Sequence, residues 1–241
     1  MRKNVLITGA TRGIGYAIAK LMNSNNYRLF LTGTDKNKIN ELNKSNIFKK
    51  TEWIFADFTT KKGTKNFIDL IKYKDIDICI NNAGINIIKP IDKVQEIDYN
   101  KIMDINLYAP MLISKTLLPN MKANKFGRII NVCSIWSLIT KSNRSLYTMA
   151  KSALNGLTKT ISLEGARFNV LANSISPGFT LTELTDKSLT TDEKKNLALQ
   201  IPLLRFAQPV EIANLVLFLA GPDNTYITGQ NIAIDGGFTI Q

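Results

Sequence analysis

Short apolar runs alternate along the chain with longer stretches of helical periodicity. Asn4-Val5-Leu6-Ile7-Thr8 is apolar at consecutive positions and rich in β-branched residues, the pattern of a strand covered on both faces. Runs of this kind predict strands near residues 3–8, 27–32, 51–55, 76–80, 127–133, 170–175 and 231–234. Between them, amphipathic spacing predicts helices near 13–25, 36–44, 61–72, 95–122, 145–167 and 209–220. Regular alternation of strand and helix implies an α/β fold: a doubly wound, seven-stranded, mostly parallel sheet with helices on both faces. Ligands of such sheets bind at the carboxyl ends of the strands. Thr8, Gly33, Asp57, Asn82 and Ser134 all follow strand segments, so one edge of the sheet collects them.

Three places carry more chemistry than a core requires. Tyr147 and Lys151 stand at i and i+4, so a helix over 145–167 puts them on one face. An isolated tyrosine keeps its proton up to pH ~10 and exchanges it poorly at neutral pH. A lysine cation at ~4 Å favours the phenolate by about 4 kcal/mol at an effective dielectric of ~20. Ser134, upstream, supplies a hydroxyl to hold the oxygen that gains or loses the proton. The chain has no histidine, so acid–base work falls to other side chains. The same Tyr/Lys spacing also occurs on ordinary helices.

The second place is Gly9-Ala10-Thr11-Arg12-Gly13-Ile14-Gly15, directly after the first strand and opening a helix. Strand, glycine-rich turn and helix begin a dinucleotide-binding unit. The glycines permit a tight turn and a close backbone approach to a pyrophosphate, and the helix N-terminus offers N–H groups and partial positive charge. A ligand-free turn is the other reading. The third place is Pro110, which has no N–H to give the carbonyl of Asn106. A carbonyl freed inside a helix can hold a water; a plain kink is the alternative.

Composition narrows the classes. With 241 residues, 44% hydrophobic, and no linker or repeat, the chain reads as one domain over 1–241. No apolar run approaches the ~20 residues of a membrane span, and Gly9 cuts the first run too short for a signal peptide. Cys79 and Cys133 fall at predicted strand ends and make no zinc site without histidine; no metal is expected, and free thiols fit a cytoplasmic protein. Thirty-one Lys and Arg against 19 Asp and Glu give a net charge of +12. The basic residues are spread along the chain, which favours a solvated surface over a nucleic-acid stripe.

The G-x-x-x-G-x-G spacing, Asn81-Asn82-Ala83-Gly84, Ser134, Tyr147, Lys151 and Pro177-Gly178 together closely resemble the short-chain dehydrogenase/reductase family. The resemblance runs from about residue 3 to the C-terminus and is strongest to the 3-oxoacyl-acyl-carrier-protein reductase group. It implies a Rossmann fold, hydride transfer between a nicotinamide and a carbonyl or secondary alcohol, and a homotetramer. It also assigns roles. Tyr147 passes the proton, Ser134 orients the oxygen, Lys151 favours the phenolate and holds the nicotinamide ribose, and Asn106 links Lys151 to solvent through a water. Gly9, Thr11, Arg12, Gly13, Ile14 and Gly15 form the cofactor loop. Asp57 and Phe58 match adenine contacts, and Asn82, Ala83 and Gly84 line the adenine ribose. Pro177, Gly178 and Thr182 pack against the nicotinamide.

NAD-preferring relatives usually have an acidic residue where Gly33 stands. Gly33 leaves that place open, and Arg12 and Thr34 suit a 2′-phosphate there, so NADP is favoured over NAD. Asp35 comes one or two positions late for the acidic role. A lid is expected near 182–204. Trp136, Lys141 and Arg144 depart from the small residues usual in acyl-carrier relatives. Arg144 or Lys141 contacts a substrate carboxylate or phosphate, or else is a surface or interface cation. Lys125 and Arg167 lie near the expected carrier-docking places, but Phe168 stands where the second belongs. The expected partner is a small-molecule or acyl-carrier-bound carbonyl substrate, with no nucleic acid and no membrane. Two other readings stay open: a catalytically idle dinucleotide sensor and a basic nucleic-acid binder.

Overall fold

The computed structural model describes residues 2–45 and 47–241. Its seven strands are β1 (Asn4–Ile7), β2 (Arg28–Gly33), β3 (Thr51–Phe55), β4 (Ile78–Asn81), β5 (Gly127–Val132), β6 (Val170–Pro177) and β7 (Asn231–Ile234). They form one sheet in the order β3-β2-β1-β4-β5-β6-β7, and every pairing is parallel. Where a mostly parallel sheet was expected, the sheet is parallel throughout.

Period-two alternation divides each strand between two cores. Val5, Ile7, Leu29, Leu31, Ile78, Ile80, Ile130 and Val132 face one side, where α1 (Gly13–Ser24), α2 (Lys36–Ser45) and α9 (Pro209–Ala220) cover them. Leu6, Phe30, Cys79 and Ile129 face the other, under α3 (Lys61–Ile71), α5 (Ala109–Ala123) and α6 (Ser145–Gly165). Each large apolar side chain buried in this way contributes about 1.5–3 kcal/mol. α3 shows the local logic: Thr60 caps it by accepting from the Gly63 N–H at 3.0 Å, and Thr64, Phe67 and Ile71 form its buried stripe.

Two regions differ from expectation. The single helix predicted near 95–122 is instead α4 (Glu96–Met103) and α5, joined by a π-helical turn over Asp104–Tyr108. The N–H of Ala109 reaches back five residues to the Asp104 carbonyl, just before Pro110, which has no N–H to continue the regular ladder. The segment 182–204, expected to be a lid, contains α7 (Glu183–Ser188) and α8 (Thr191–Ala198), each capped by a threonine, Thr182 and Thr190. Cys79 lies inside β4 rather than at its end; both cysteines are free and buried. No helix among the described residues is long and apolar enough to cross a membrane.

Strand order reverses direction between β1 and β4, so the connections leaving these neighbours part to opposite faces and open a crevice at their carboxyl ends.

Candidate active site

The crevice is stitched before it is lined. Thr8, just past β1, accepts through Oγ1 from the N–H groups of Asn82 and Ala83, both at 3.0 Å. The Asn82 amide returns two bonds, to the carbonyls of Thr8 and Gly9, each at 2.9 Å. Gly9 sits at φ +64, a left-handed conformation that other residues enter at a cost. Gly15 is excluded from carrying a side chain for another reason: a Cβ there would collide with the Gly9 carbonyl and stand 2.5 Å from Asn82 Nδ2.

A cleft of about 580 Å³ opens on this loop. Gly9, Thr11, Arg12, Gly13, Ile14, Gly15, Thr34, Asp57, Phe58, Asn82, Ala83, Gly84 and Thr182 all line it. α1 starts at the cleft, and no side chain caps that helix, so its first N–H groups are left for an anion to accept from. An uncapped helix start, a glycine loop and an elongated cleft fit a dinucleotide. Phe58 serves two purposes, because it also packs edge-to-face on Phe67 at 5.3 Å in the core. Phe55, Thr59, Ile85, Lys101, Ile105 and Glu183 line the cleft as well. Only Ile85, continuing the Asn-Asn-Ala-Gly run, carried a sequence signal for this.

The place beside Gly33 is not open, contrary to expectation. A Cβ on Gly33 would stand 2.5 Å from the Thr11 methyl and 3.0 Å from Ile39 Cδ1. Thr11 fills the space from the glycine loop, so an acidic side chain at position 33 would have to displace it. One carboxylate oxygen of Asp35 accepts from the N–H groups of Asn37 at 2.9 Å and Lys38 at 3.1 Å. Asp35 thus starts α2, and it does not line the cleft. Arg12 lines it, is exposed, and forms no ion pair among the described residues.

Beside Gly84, at the wall of the cleft, lie Asn106 and Lys151. A Cβ on Gly84 would lie 3.3 Å from Asn106 Oδ1 and 3.5 Å from Lys151 Nζ, so the two polar atoms flank the same glycine. Asn106 is fully buried, and its side chain clamps Ile85, accepting from the Ile85 N–H at 2.9 Å and donating to the Ile85 carbonyl at 2.8 Å. The sequence pointed to the main-chain carbonyl of Asn106; its amide clamp had no sequence signal. Lys151 is 3% exposed and donates to the Val132 carbonyl at 2.7 Å. Its ammonium lies 5.7 Å from the Tyr147 ring centre.

Ser134 follows β5 and is 7% exposed. Its carbonyl accepts from Ser137 Oγ at 2.7 Å, and Ser137 Oγ closes a triangle with Ser176 Oγ at 3.0 Å and Asn231 Nδ2 at 3.1 Å. Ser176 in turn donates to Asn231 Oδ1 at 2.7 Å, so the Ser134 turn is tied to β6 and β7. Nothing in the sequence had marked this triangle. Pro177 ends β6, and Gly178 lies against Asp235, where a Cβ would come within 2.7 Å of the Asp235 Cα. Trp136 is 8% exposed, edge-on to Phe179 at 6.5 Å and Phe238 at 6.4 Å. The Arg144 guanidinium lies over its ring at 5.7 Å, whereas Lys141 is exposed.

A dinucleotide cleft at the switch point, with Lys151 beside Gly84 at its wall, fits an NAD(P)-dependent oxidoreductase. The family model described as enoyl-(acyl carrier protein) reductase matches residues 9–239. The chain is 34% identical over 236 residues to 3-oxoacyl-acyl-carrier-protein reductase FabG of Rickettsia felis, covering 98% of this chain and 96% of that one. Among solved structures, "ElxO with NADP Bound" matches with a TM-score of 0.92 at 29% identity over 100% of both chains. "4-hydroxyisoleucine dehydrogenase complexed with NADH" matches with a TM-score of 0.92 at 28% identity, again over 100% of both. The chain belongs to the short-chain dehydrogenase/reductase family.

Proposed function

We propose that this protein is an NADP(H)-dependent reductase that interconverts a 3-oxoacyl carbonyl and its 3-hydroxy form. The observation that carries the reaction type is the junction at Gly84, where the dinucleotide cleft meets Asn106 and Lys151 on the helix face shared with Tyr147. The acyl substrate is supported by the printed activity of relatives such as the Rickettsia felis enzyme.

The glycine loop and the start of α1 hold the pyrophosphate, Asp57 and Asn82 to Gly84 hold the adenosine half, and Lys151 holds the nicotinamide ribose. Bound there, the cofactor supplies hydride to the carbonyl carbon. Tyr147 gives its hydroxyl proton to the carbonyl oxygen, and Ser134 donates to that oxygen and keeps it in place. Lys151, a buried cation anchored on Val132, stabilises the phenolate that Tyr147 leaves. The main-chain carbonyl of Asn106, deprived of a donor by Pro110, positions a water that returns the proton. Arg12 and Thr34 meet the 2′-phosphate, while Asp35 is committed to α2.

The test is NADPH consumption with an acetoacetyl thioester, comparing wild type with Tyr147→Phe. Turnover in wild type that is lost in the variant supports the reading; turnover that survives in Tyr147→Phe sinks this proton donor. A second reading, action on a polar anionic metabolite, is favoured by the position of Arg144 over Trp136.

A further inference from the structure

Resting on the reductase reading, we infer that Arg144, stacked on Trp136 one helical turn before Tyr147, binds a free carboxylate on the substrate. The substrate class is then an oxo acid with a free carboxylate rather than an acyl thioester on a carrier. Four observations converge.

First, the guanidinium has donors and no acceptor. It lies 5.7 Å over the Trp136 ring, yet among the described residues it donates no hydrogen bond and forms no ion pair. It does not cap the helix it precedes. A guanidinium with no protein acceptor keeps its donors available to an anionic ligand. Second, burial pulls its pKa below the ordinary arginine value, and the opposing influence comes from Tyr147, so the two side chains are within electrostatic reach. Third, the adjacent Ser145 hydroxyl is buried and has no hydrogen-bond partner. Fourth, the platform is fixed. Trp136 packs on Phe179 and Phe238, which themselves meet at 5.2 Å, so the indole cannot swing away and leave Arg144 to solvent.

Geometry limits the ligand. Arg144 and Tyr147 start one helical turn apart, and their side chains influence each other electrostatically. A substrate with its carbonyl oxygen at Tyr147 and a carboxylate at Arg144 carries both groups on one molecule. A planar carboxylate matches the guanidinium fork with two parallel bonds. In the reaction, the carbonyl carbon gains hydride and its oxygen gains a proton. A 3-oxo acid, reduced cofactor and one proton thus become a 3-hydroxy acid and oxidised cofactor.

The experiment uses the full chain and two probes with NADPH: acetoacetate, which carries the carboxylate, and acetoacetyl-N-acetylcysteamine, a neutral thioester. Wild type, Arg144→Gln, Arg144→Lys and Tyr147→Phe are compared, with melting curves to verify folding. Arg144→Gln is expected to lower kcat/KM for acetoacetate about 10- to 100-fold, mainly through KM, the loss for one charge-assisted contact. It leaves the thioester within about twofold, and Arg144→Lys recovers part of the loss. Butyrate, which cannot react, should quench tryptophan fluorescence saturably in wild type and at least tenfold more weakly in Arg144→Gln. Equal losses on both probes, or no loss on acetoacetate, overturn the inference while leaving the reductase reading intact. If wild type turns over neither probe, the reductase reading fails, and the butyrate titration alone then decides the anion site: binding independent of Arg144 overturns it.

Discussion

Asn106→Ala is the sharpest test of how this site is held. The substitution removes two bonds to Ile85, at 2.9 and 2.8 Å, from a side chain with no solvent exposure. Each bond contributes ~1 kcal/mol net, and each main-chain group left unpaired costs about 1–3 kcal/mol when water cannot reach it. Ile85 is half-buried, so water reaches part of the vacated space and the lower end of that range applies. The expected loss is about 3 kcal/mol, or roughly 6–12 °C in melting temperature for a chain of this size. Because Ala83, Gly84 and Ile85 line the cleft, the loosened segment should also weaken cofactor binding. Thermal and urea unfolding measure the first effect, and a cofactor titration the second. A shift below about 2 °C would refute the clamp, leaving the π-helical turn alone to position this segment. A full stability loss with unchanged cofactor affinity would show that the clamp holds the fold but not the cleft.

Three further outcomes follow from single residues. Leu204 sits at φ +55 with its side chain 64% exposed, so Leu204→Gly should relieve strain of ~1–2 kcal/mol, less the chain entropy of glycine, and raise the melting temperature by about 1–4 °C; a fall would contradict it. Paired side-chain bonds from Arg205, joined by the Gln208 N–H, hold the Glu211 carboxyl down to about 2 from 4.5. A pKa lowered in the folded state gives stability present above pH 4.5 and lost as pH falls towards 2, so the melting-temperature gap between wild type and Glu211→Gln should close across that window; parallel pH profiles would disprove this. Burial pushes the Cys79 thiol up to about 12 and raises that of Cys133, against an opposing pull from Lys151. A thiol reagent at mildly alkaline pH should therefore label neither cysteine in the native protein and both in denaturant, and native labelling would contradict the burial.

How far the sequence could be read depended on the range of the interaction concerned. β1 was legible because a strand buried on both faces is apolar at every position, and the glycine turn because its spacing is local. The break after Met103 was half legible. Pro110 announced a missing donor, but the shift of the Ala109 N–H to Asp104 is a property of the assembled turn. Gly33 and Asp35 show the limit. Sequence sees an absent side chain and an acid two residues later; it does not see the Thr11 methyl filling the gap or the α2 N–H groups holding the acid. The caps of the lid helices were legible in principle, since Thr190 and Glu193 form a reciprocal capping box, but the polar composition between them hid it.

The same distinction divides the site by rigidity. Ser134 is tied through Ser137 to Ser176 and Asn231, Lys151 to the Val132 carbonyl, and Asn106 to Ile85, so each polar group is fixed to the end of a different strand or to the loop leaving it. Thr182, by contrast, shows no hydrogen bond to the glycine loop among the described residues; its methyl lies 3.4 Å from where a Cβ on Gly13 would stand. Groups that must present a proton at a set place gain from such anchoring, because a hydrogen-bonded side chain needs no reorganisation when charge develops. A segment that admits and releases ligands gains from the opposite. Arg144 belongs to the rigid half, seated on an indole that two phenylalanines hold. That placement holds the guanidinium at a set position on the element that carries Tyr147.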